Sequence, residues 1–316
     1  MRQDEEQPVT AGDVVLLKSP EDVAAFARVR DYAVLLKPRV MSLVVFSGVA
    51  GLYMAPGKLD LWTALNAILY IAIGAGGSGA VNMWYDRDID LEMSRTKNRP
   101  VPAGRMAPSH ALWVGTVLSV LSVAAMTMLV NKAAAALLAL TIVYYVFIYT
   151  MWLKRRTPQN IVIGGASGAF PPMIGWAAVT GSVDIGSIAL FAIIFIWTPP
   201  HFWALALYRC SDYAKAGVPM LPVVSGVRAT KKQILAYSVL LVPVTLMPVY
   251  LGMAGIFYGA AALALDGWLL RHALRVWGDE SEIQEATAKP MFLYSILYLF
   301  LIFVFMMADK AFFQSI

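Results

Sequence analysis

Asn82, Asp86 and Asp90 stand at i, i+4 and i+8 in the stretch "AVNMWYDRDIDLEMSRTKNRPVPAGRM", residues 80–106. On a helix that spacing puts all three on one face, with Asp88 pointing elsewhere. Oxygen-bearing side chains in such a row suit a hard divalent cation such as Mg²⁺, one that is itself held partly by phosphate oxygens. Carboxylates at i, i+4 repel, so a cation between them relieves a cost that the bare helix carries. Basic residues follow at once: Arg95 and Arg99, again at i, i+4, with Lys97 between them and Pro100 ending the segment. Taken singly, each acid reads more readily as a loop residue paired with Arg87 or Arg95, and the arginines read equally well as membrane-side anchors. What a merely solvated exit helix has no use for is an Asn in phase with two Asp.

The elements that must position these groups are membrane helices. The chain has 316 residues, of which 59% are hydrophobic and 14% charged, and its mean hydropathy is +0.65. Those values exclude an ordinary soluble domain. Apolar runs long enough to cross a hydrocarbon core of roughly 30 Å recur along the chain, at about 39–56, 61–82, 108–129, 134–152, 160–179, 186–207, 233–254, 255–273 and 291–309. The expected fold is therefore all-α, a polytopic bundle of about nine transmembrane helices around a central cavity. The eighth run is the least regular, because Asp266 interrupts it and Arg271 follows.

Of the 25 Lys and Arg, 22 fall in the N-terminal segment and the loops after even-numbered spans, against Lys58, Lys132 and Lys310 on the opposite side. Positively charged loops stay cytoplasmic, so the N-terminus and the charged stretch face the cytoplasm. The net charge of +5 follows from that bias and calls for no nucleic acid. The first 38 residues lack the apolar core of a cleaved signal peptide. Residues 1–30 read as a disordered cytoplasmic segment, and 31–316 as the membrane domain. Within "SPEDVAAFARVRDYAVLLKPR", Ser19 as N-cap and Pro20 at the first helical position predict a helix lying on the membrane surface. The single Cys210 rules out an internal disulfide.

A second charged patch, "YRCSDYAKAGVPMLPVVSG", follows the sixth span and carries Tyr208, Arg209, Asp212 and Lys215. Each patch closes the second helix of a four-span group, a layout that hints at a duplicated unit on spacing alone. Inside the sixth span, "FIWTPPHFWALALY" puts His201 directly after Pro199 and Pro200. An imidazole at that depth faces a cavity or a partner, and proline-broken backbone is tolerated only where the helix is buried or lines a cavity. "NIVIGGASGAFPPMIGWAAVTG" and "GAGGSGA" read as small-residue faces for close helix packing.

"NMWYDRDIDLEMSRTKNRPVPAGR", "NIVIGGASGAFPPMIGWAAVTG", "WTPPHFWALAL" and "DYAKAGVPMLPVV" together resemble the protohaem IX farnesyltransferases (haem O synthases), a branch of the UbiA superfamily of intramembrane prenyltransferases. The likeness covers roughly residues 30–310. Asn-xxx-Asp-xxx-Asp alone indicates only prenyl transfer, while the other three stretches single out the haem branch. The resemblance implies that Asn82, Asp86 and Asp90 hold Mg²⁺ against the diphosphate of farnesyl diphosphate, with Arg95 and Arg99 beside them. It implies that haem B is the acceptor, converted to haem O, and that His201 contacts the haem, as an iron ligand or beside the reacting vinyl. Where many members have a second Asp-xxx-Asp, Asp212 is followed at i+4 by Ala216; Arg209 or Lys215 then serve as point cations for diphosphate, with Lys97 and Tyr208 nearby. The implied setting is the cytoplasmic (inner) membrane of a bacterium, with membrane lipid around the chain and haem A synthase or a terminal oxidase as candidate partners. A prenyltransferase for a quinone-precursor ring would keep the first motif without needing His201. A transporter would place its acids at mid-span, where only Asp266 lies.

Nine crossings with a cytoplasmic N-terminus put Ile316 outside. A reporter active only outside the cytoplasm, fused after Ile316, should be active; activity only of a cytoplasm-dependent reporter there would refute the count.

Overall fold

A computed structural model describes residues 29–281 and 284–313. The segment 1–28, with most of the expected surface helix, lies outside the described residues. Among those described, all regular structure is helical: α1 (Val29–Leu35), α2 (Pro38–Met54), α3 (Leu61–Tyr85), α4 (Arg87–Glu92), α5 (Pro108–Leu129), α6 (Lys132–Val143) continuing as π-helix Tyr144–Leu153, α7 (Asn160–Gly164), α8 (Ala166–Thr180), α9 (Ile185–Tyr208), α10 (Cys210–Lys215), α11 (Leu221–Val224), α12 (Gly226–Tyr250), α13 (Ile256–Trp277) and α14 (Glu285–Phe313).

Seven described helices are individually long and apolar enough to cross a membrane, and the bent pair α1–α2 makes an eighth. The sequence expectation of about nine is thus slightly high by that measure. The difference is α13, 22 residues long, whose Asp266, Arg271 and His272 lower its apolarity. Every other expected run coincides with a helix.

The long helices pack as a ring. α2 lies on α3 and α8, α3 on α5, α6 on α8, α8 on α9, α9 on α12 and α14, and α12, α13 and α14 follow in turn; α14 touches α2 and closes the circuit. α8 is the shared wall: Trp176 belongs to the larger apolar core formed with α9 and α12–α14, while Ile174, Ala177 and Ala178 belong to a second core with α3, α5 and α6. In lipid the apolar effect does not drive helices together, because the tails are as apolar as the side chains, so association depends on close packing. Two crossings achieve it through glycine. At α2 against α8, a Cβ on Gly175 would stand 2.1 Å from the Gly48 carbonyl oxygen, and one on Gly51 would stand 1.9 Å from that of Pro172. At α3 against α5, Gly77 and Gly115 meet the same way, with Cβ positions 2.9 and 2.7 Å from each other's carbonyl oxygens. The small-residue stretches thus act as the sequence indicates.

Several local signals set the element ends. Asp60 caps α3 through the Thr63 amide, Asn131 caps α6 through that of Ala134, and Asp184 opens α9 with a reciprocal bond to Ser187. Lys37 adopts the left-handed conformation, φ 53°, just before Pro38. Proline disfavours the right-handed helical region for its predecessor, so α1 and α2 break here.

Gly175→Val should break the α2–α8 crossing and lower stability by about 1–3 kcal/mol, read as a lower melting temperature in detergent. Gly267→Ala, at a helical glycine with open space around its missing Cβ, is the control and should melt as the parent does.

Candidate active site

Asn82 lies in the last turn of α3, Asp86 at the joint between α3 and α4, and Asp90 in α4. Each is almost fully buried, with Asp86 at 0% and Asp90 at 2% exposure. Ionised carboxylates at such depth must be paired, and the partners of this row come from three other parts of the chain. Lys154, directly after the π-helix, donates to Asp86 Oδ2 at 2.5 Å, and Arg155 approaches its Oδ1 at 3.5 Å. Arg99, from the loop after α4, donates to Asp90 Oδ2 at 2.7 Å. Lys37 turns its ammonium to Asn82 Oδ1 at 2.6 Å. Asn82 Nδ2 in turn donates to Asp86 Oδ2 at 2.7 Å and Thr150 Oγ1 at 3.1 Å. The left-handed Lys37 backbone, costing about 1–2 kcal/mol for a non-glycine residue, therefore belongs to the polar cluster it serves.

The π-helix carries Thr150 into this cluster and Lys154 to its rim. π-helical turns are rare and concentrate at functional sites. Tyr149 beside Thr150 takes the space a side chain on Gly164 would need, since a Cβ there would meet its ring at 2.1 Å. Asp88, on the other face as the spacing indicates, is exposed and forms a two-pronged ion pair with Arg155 at 2.7 Å through each oxygen. That guanidinium holds the Asp88 carboxyl down to about 2.

The other sequence candidates spread out. Asp212 in α10 accepts from Ser94 Oγ at 2.6 Å, which joins the second charged patch to the first. Arg209 is exposed and stacks on Tyr208. Arg95, Lys97 and Lys215 are exposed and form no side-chain hydrogen bond or ion pair among the described residues. His201 sits apart, about 10 Å along α9 from its C-terminal end at Tyr208 by the helical rise. Its ring lies between Trp197 and Phe292, with centroids at 4.3 and 4.6 Å.

A model of the UbiA prenyltransferase family matches residues 43–296. The chain belongs to this family. Among similar proteins are the protoheme IX farnesyltransferase of Parvibaculum lavamentivorans, 58% identical over 300 residues that cover 93% of this chain and 94% of that one, and that of Rhizobium etli, 58% identical over 285 residues covering 90% of each. The fold is shared with solved family structures. One is digeranylgeranylglyceryl phosphate synthase, TM-score 0.73 at 16% identity, covering 89% of this chain and 97% of that one. Another is a UbiA homologue from Archaeoglobus fulgidus bound to GPP and Mg²⁺, TM-score 0.60 at 16% identity, with coverage of 87% and 99%.

Set within the UbiA family, Lys37, Thr150, Lys154 and Arg155 are the site residues that the motif does not reveal. The tripeptide Lys154-Arg155-Arg156 carried a signal, but a basic loop is equally what membrane orientation requires. The donor set fits a divalent ion held jointly with a phosphate: Asp86 and Asp90 offer hard oxygens, and no group of three acids or histidines able to hold a metal without further ligands exists among the described residues.

Lys154→Gln removes the nearest cation from a fully buried carboxylate. With Arg155 and Asn82 remaining, a loss of about 1–3 kcal/mol is expected in the metal-free protein, read by thermal unfolding in detergent. An unchanged melting temperature would mean that the pair contributes nothing to the fold.

Proposed function

We propose that the chain transfers a farnesyl group from farnesyl diphosphate to a vinyl group of haem B, with addition of water, giving haem O and diphosphate. The observation that carries the donor half is the buried row Asn82–Asp86–Asp90 ringed by Lys37, Arg99 and Lys154. The acceptor half rests on relatives at 58% identity named for protoheme IX.

Mg²⁺ bound with the diphosphate would be held by Asp86 and Asp90, and supplies Lewis-acid stabilisation of the departing charge. Asn82 joins this set only once Lys37 leaves its amide oxygen. Lys37, Arg99 and Lys154 turn from carboxylate and amide oxygens to diphosphate oxygens, so the same cations serve the empty and the loaded site. Their preorganisation lowers the barrier to breaking the C1–O bond, whose electron pair leaves with diphosphate. Arg95, Lys97, Arg209 and Lys215 form the outer basic rim, with Asp212 joined to the first patch through Ser94 and Tyr208 beside Arg209. The allylic cation is attacked by the haem vinyl, and the new positive charge beside the porphyrin takes the oxygen of water and releases a proton. The apolar bundle keeps other water away from the farnesyl cation, which would otherwise be lost as farnesol. His201 contacts the acceptor.

The reading places the protein in the bacterial cytoplasmic membrane with its N-terminus and residues 1–30 in the cytoplasm. Haem A synthase or a terminal oxidase would then use the product.

Asp86→Asn and Asp90→Asn should each lower haem O formation by at least about 100-fold, with folded protein retained in the membrane. Asp88→Ala, in the exposed pair with Arg155, should stay within several-fold of the parent. Equal losses at all three positions, measured by quantifying haem O from purified protein, would remove the shared-face argument.

A further inference from the structure

His201 is held by more than its two aromatic neighbours. Its Nδ1 lies 2.6 Å from Ser295 Oγ of α14, and that hydroxyl lies 2.7 Å from the carbonyl oxygen of Phe292. A serine hydroxyl has one proton. The carbonyl can only accept, so a contact of 2.7 Å between two oxygens requires that proton on the Phe292 side. Ser295 Oγ then accepts from His201, and the donor is Nδ1–H. The opposite assignment would leave two lone-pair oxygens in contact with no proton between them.

In a neutral ring with Nδ1 protonated, Nε2 carries the lone pair. Among the described residues Nε2 has no hydrogen-bond partner, and it is not one of the polar atoms sealed away without one. The rest of the ring cannot turn freely. Trp197 and Phe292 stack on it, and Phe202 meets it edge-on at 5.1 Å. Ser295 is tied to the same turn of α9 a second time, since its backbone carbonyl accepts from Trp197 Nε1 at 2.9 Å. One residue of α14 thus fixes the side chains at both 197 and 201.

We propose that Ser295 is a positioning residue of the acceptor site: it locks His201 in the Nδ1–H tautomer so that Nε2 is presented as an axial ligand to the iron of the incoming haem. The inference rests on haem being the acceptor. A ligating imidazole characteristically donates its other N–H to an oxygen, which sets ring orientation and raises ligand basicity. Here Ser295 supplies that oxygen. Binding by iron orients the porphyrin without taking part in ionising farnesyl diphosphate, which occurs in the charged cluster at the helix ends.

The test uses the full-length protein in detergent with haem B, comparing the parent with His201→Ala, Ser295→Ala and Ser295→Thr. Ser295→Ala keeps the backbone carbonyl that holds Trp197, so the fold should survive, as a melting curve will show. The parent complex should give the visible and resonance Raman signature of imidazole-ligated haem, and His201→Ala should abolish it. Ser295→Ala should retain ligation with a weakened iron–imidazole stretch and about 10-fold lower haem affinity, with the KM for farnesyl diphosphate unchanged. Ser295→Thr, which restores a hydroxyl, should recover both. A parent spectrum without imidazole ligation, a parent-like spectrum and affinity in Ser295→Ala, or equal losses in Ser295→Ala and Ser295→Thr would each overturn the role given to Ser295. If the parent makes haem O in these cases, only this inference falls. If the parent makes none from haem B and farnesyl diphosphate, the acceptor assignment falls and the inference with it.

Discussion

Two carboxylates, Asp86 and Asp90, are buried at the end of a membrane helix, and the architecture around them answers that single electrostatic demand. Charge at this depth is tolerated only when paired. The pairing groups are drawn from the α1–α2 break, the loop after α4 and the end of the π-helix, so the cluster ties four separate stretches of chain to one point. The left-handed Lys37, the widened π-helical turns and the room that Gly164 leaves for Tyr149 are all local departures from regular helix that converge here.

Under the proposed function, the same arrangement lets an anion with several negative charges enter. Before substrate arrives, the cations neutralise the carboxylates; afterwards a divalent ion can take the carboxylates while the cations turn to phosphate. Net charge within the cluster changes little between the two states, which limits the desolvation cost of each. The surroundings of His201, the acceptor end under the proposed function, follow the opposite principle. His201 is bounded by aromatic faces and one hydroxyl, a surface suited to a flat, apolar ring system. The charged cluster and His201 are separated along the helices, so the two roles proposed for them can be perturbed independently.

Much of this was legible in the sequence, for identifiable reasons. The i, i+4, i+8 row survives because α3 continues almost without interruption into α4, and the opposite placement of Asp88 follows from the same periodicity. Glycine-rich runs predicted close crossings because only absent side chains permit them, as Gly77 with Gly115 shows. Lys37 and Lys154 were missed because a lysine near a membrane boundary has an equally good topological reason to be there. Ser295 could not be found at all: a lone serine in an apolar helix has no periodic or compositional signal, and the role proposed for it rests on contact with a residue 94 positions away. The π-helix was likewise invisible, since its residues are as apolar as their α-helical neighbours. In α13, the helix that falls short of the span criterion, Asp266 is the interruption visible in the sequence, while the Tyr298 and Thr245 hydroxyls that satisfy both its oxygens are visible only in the structure.

The account stands or falls on the pairing of the charged cluster with a haem acceptor. The most direct measurement is mass spectrometry of haem extracted from cells with and without the gene. The account predicts that cells carrying it contain haem heavier than haem B by one farnesyl group and one water, and that cells lacking it accumulate haem B alone. Haem O persisting without the gene, or absent in its presence, would contradict it.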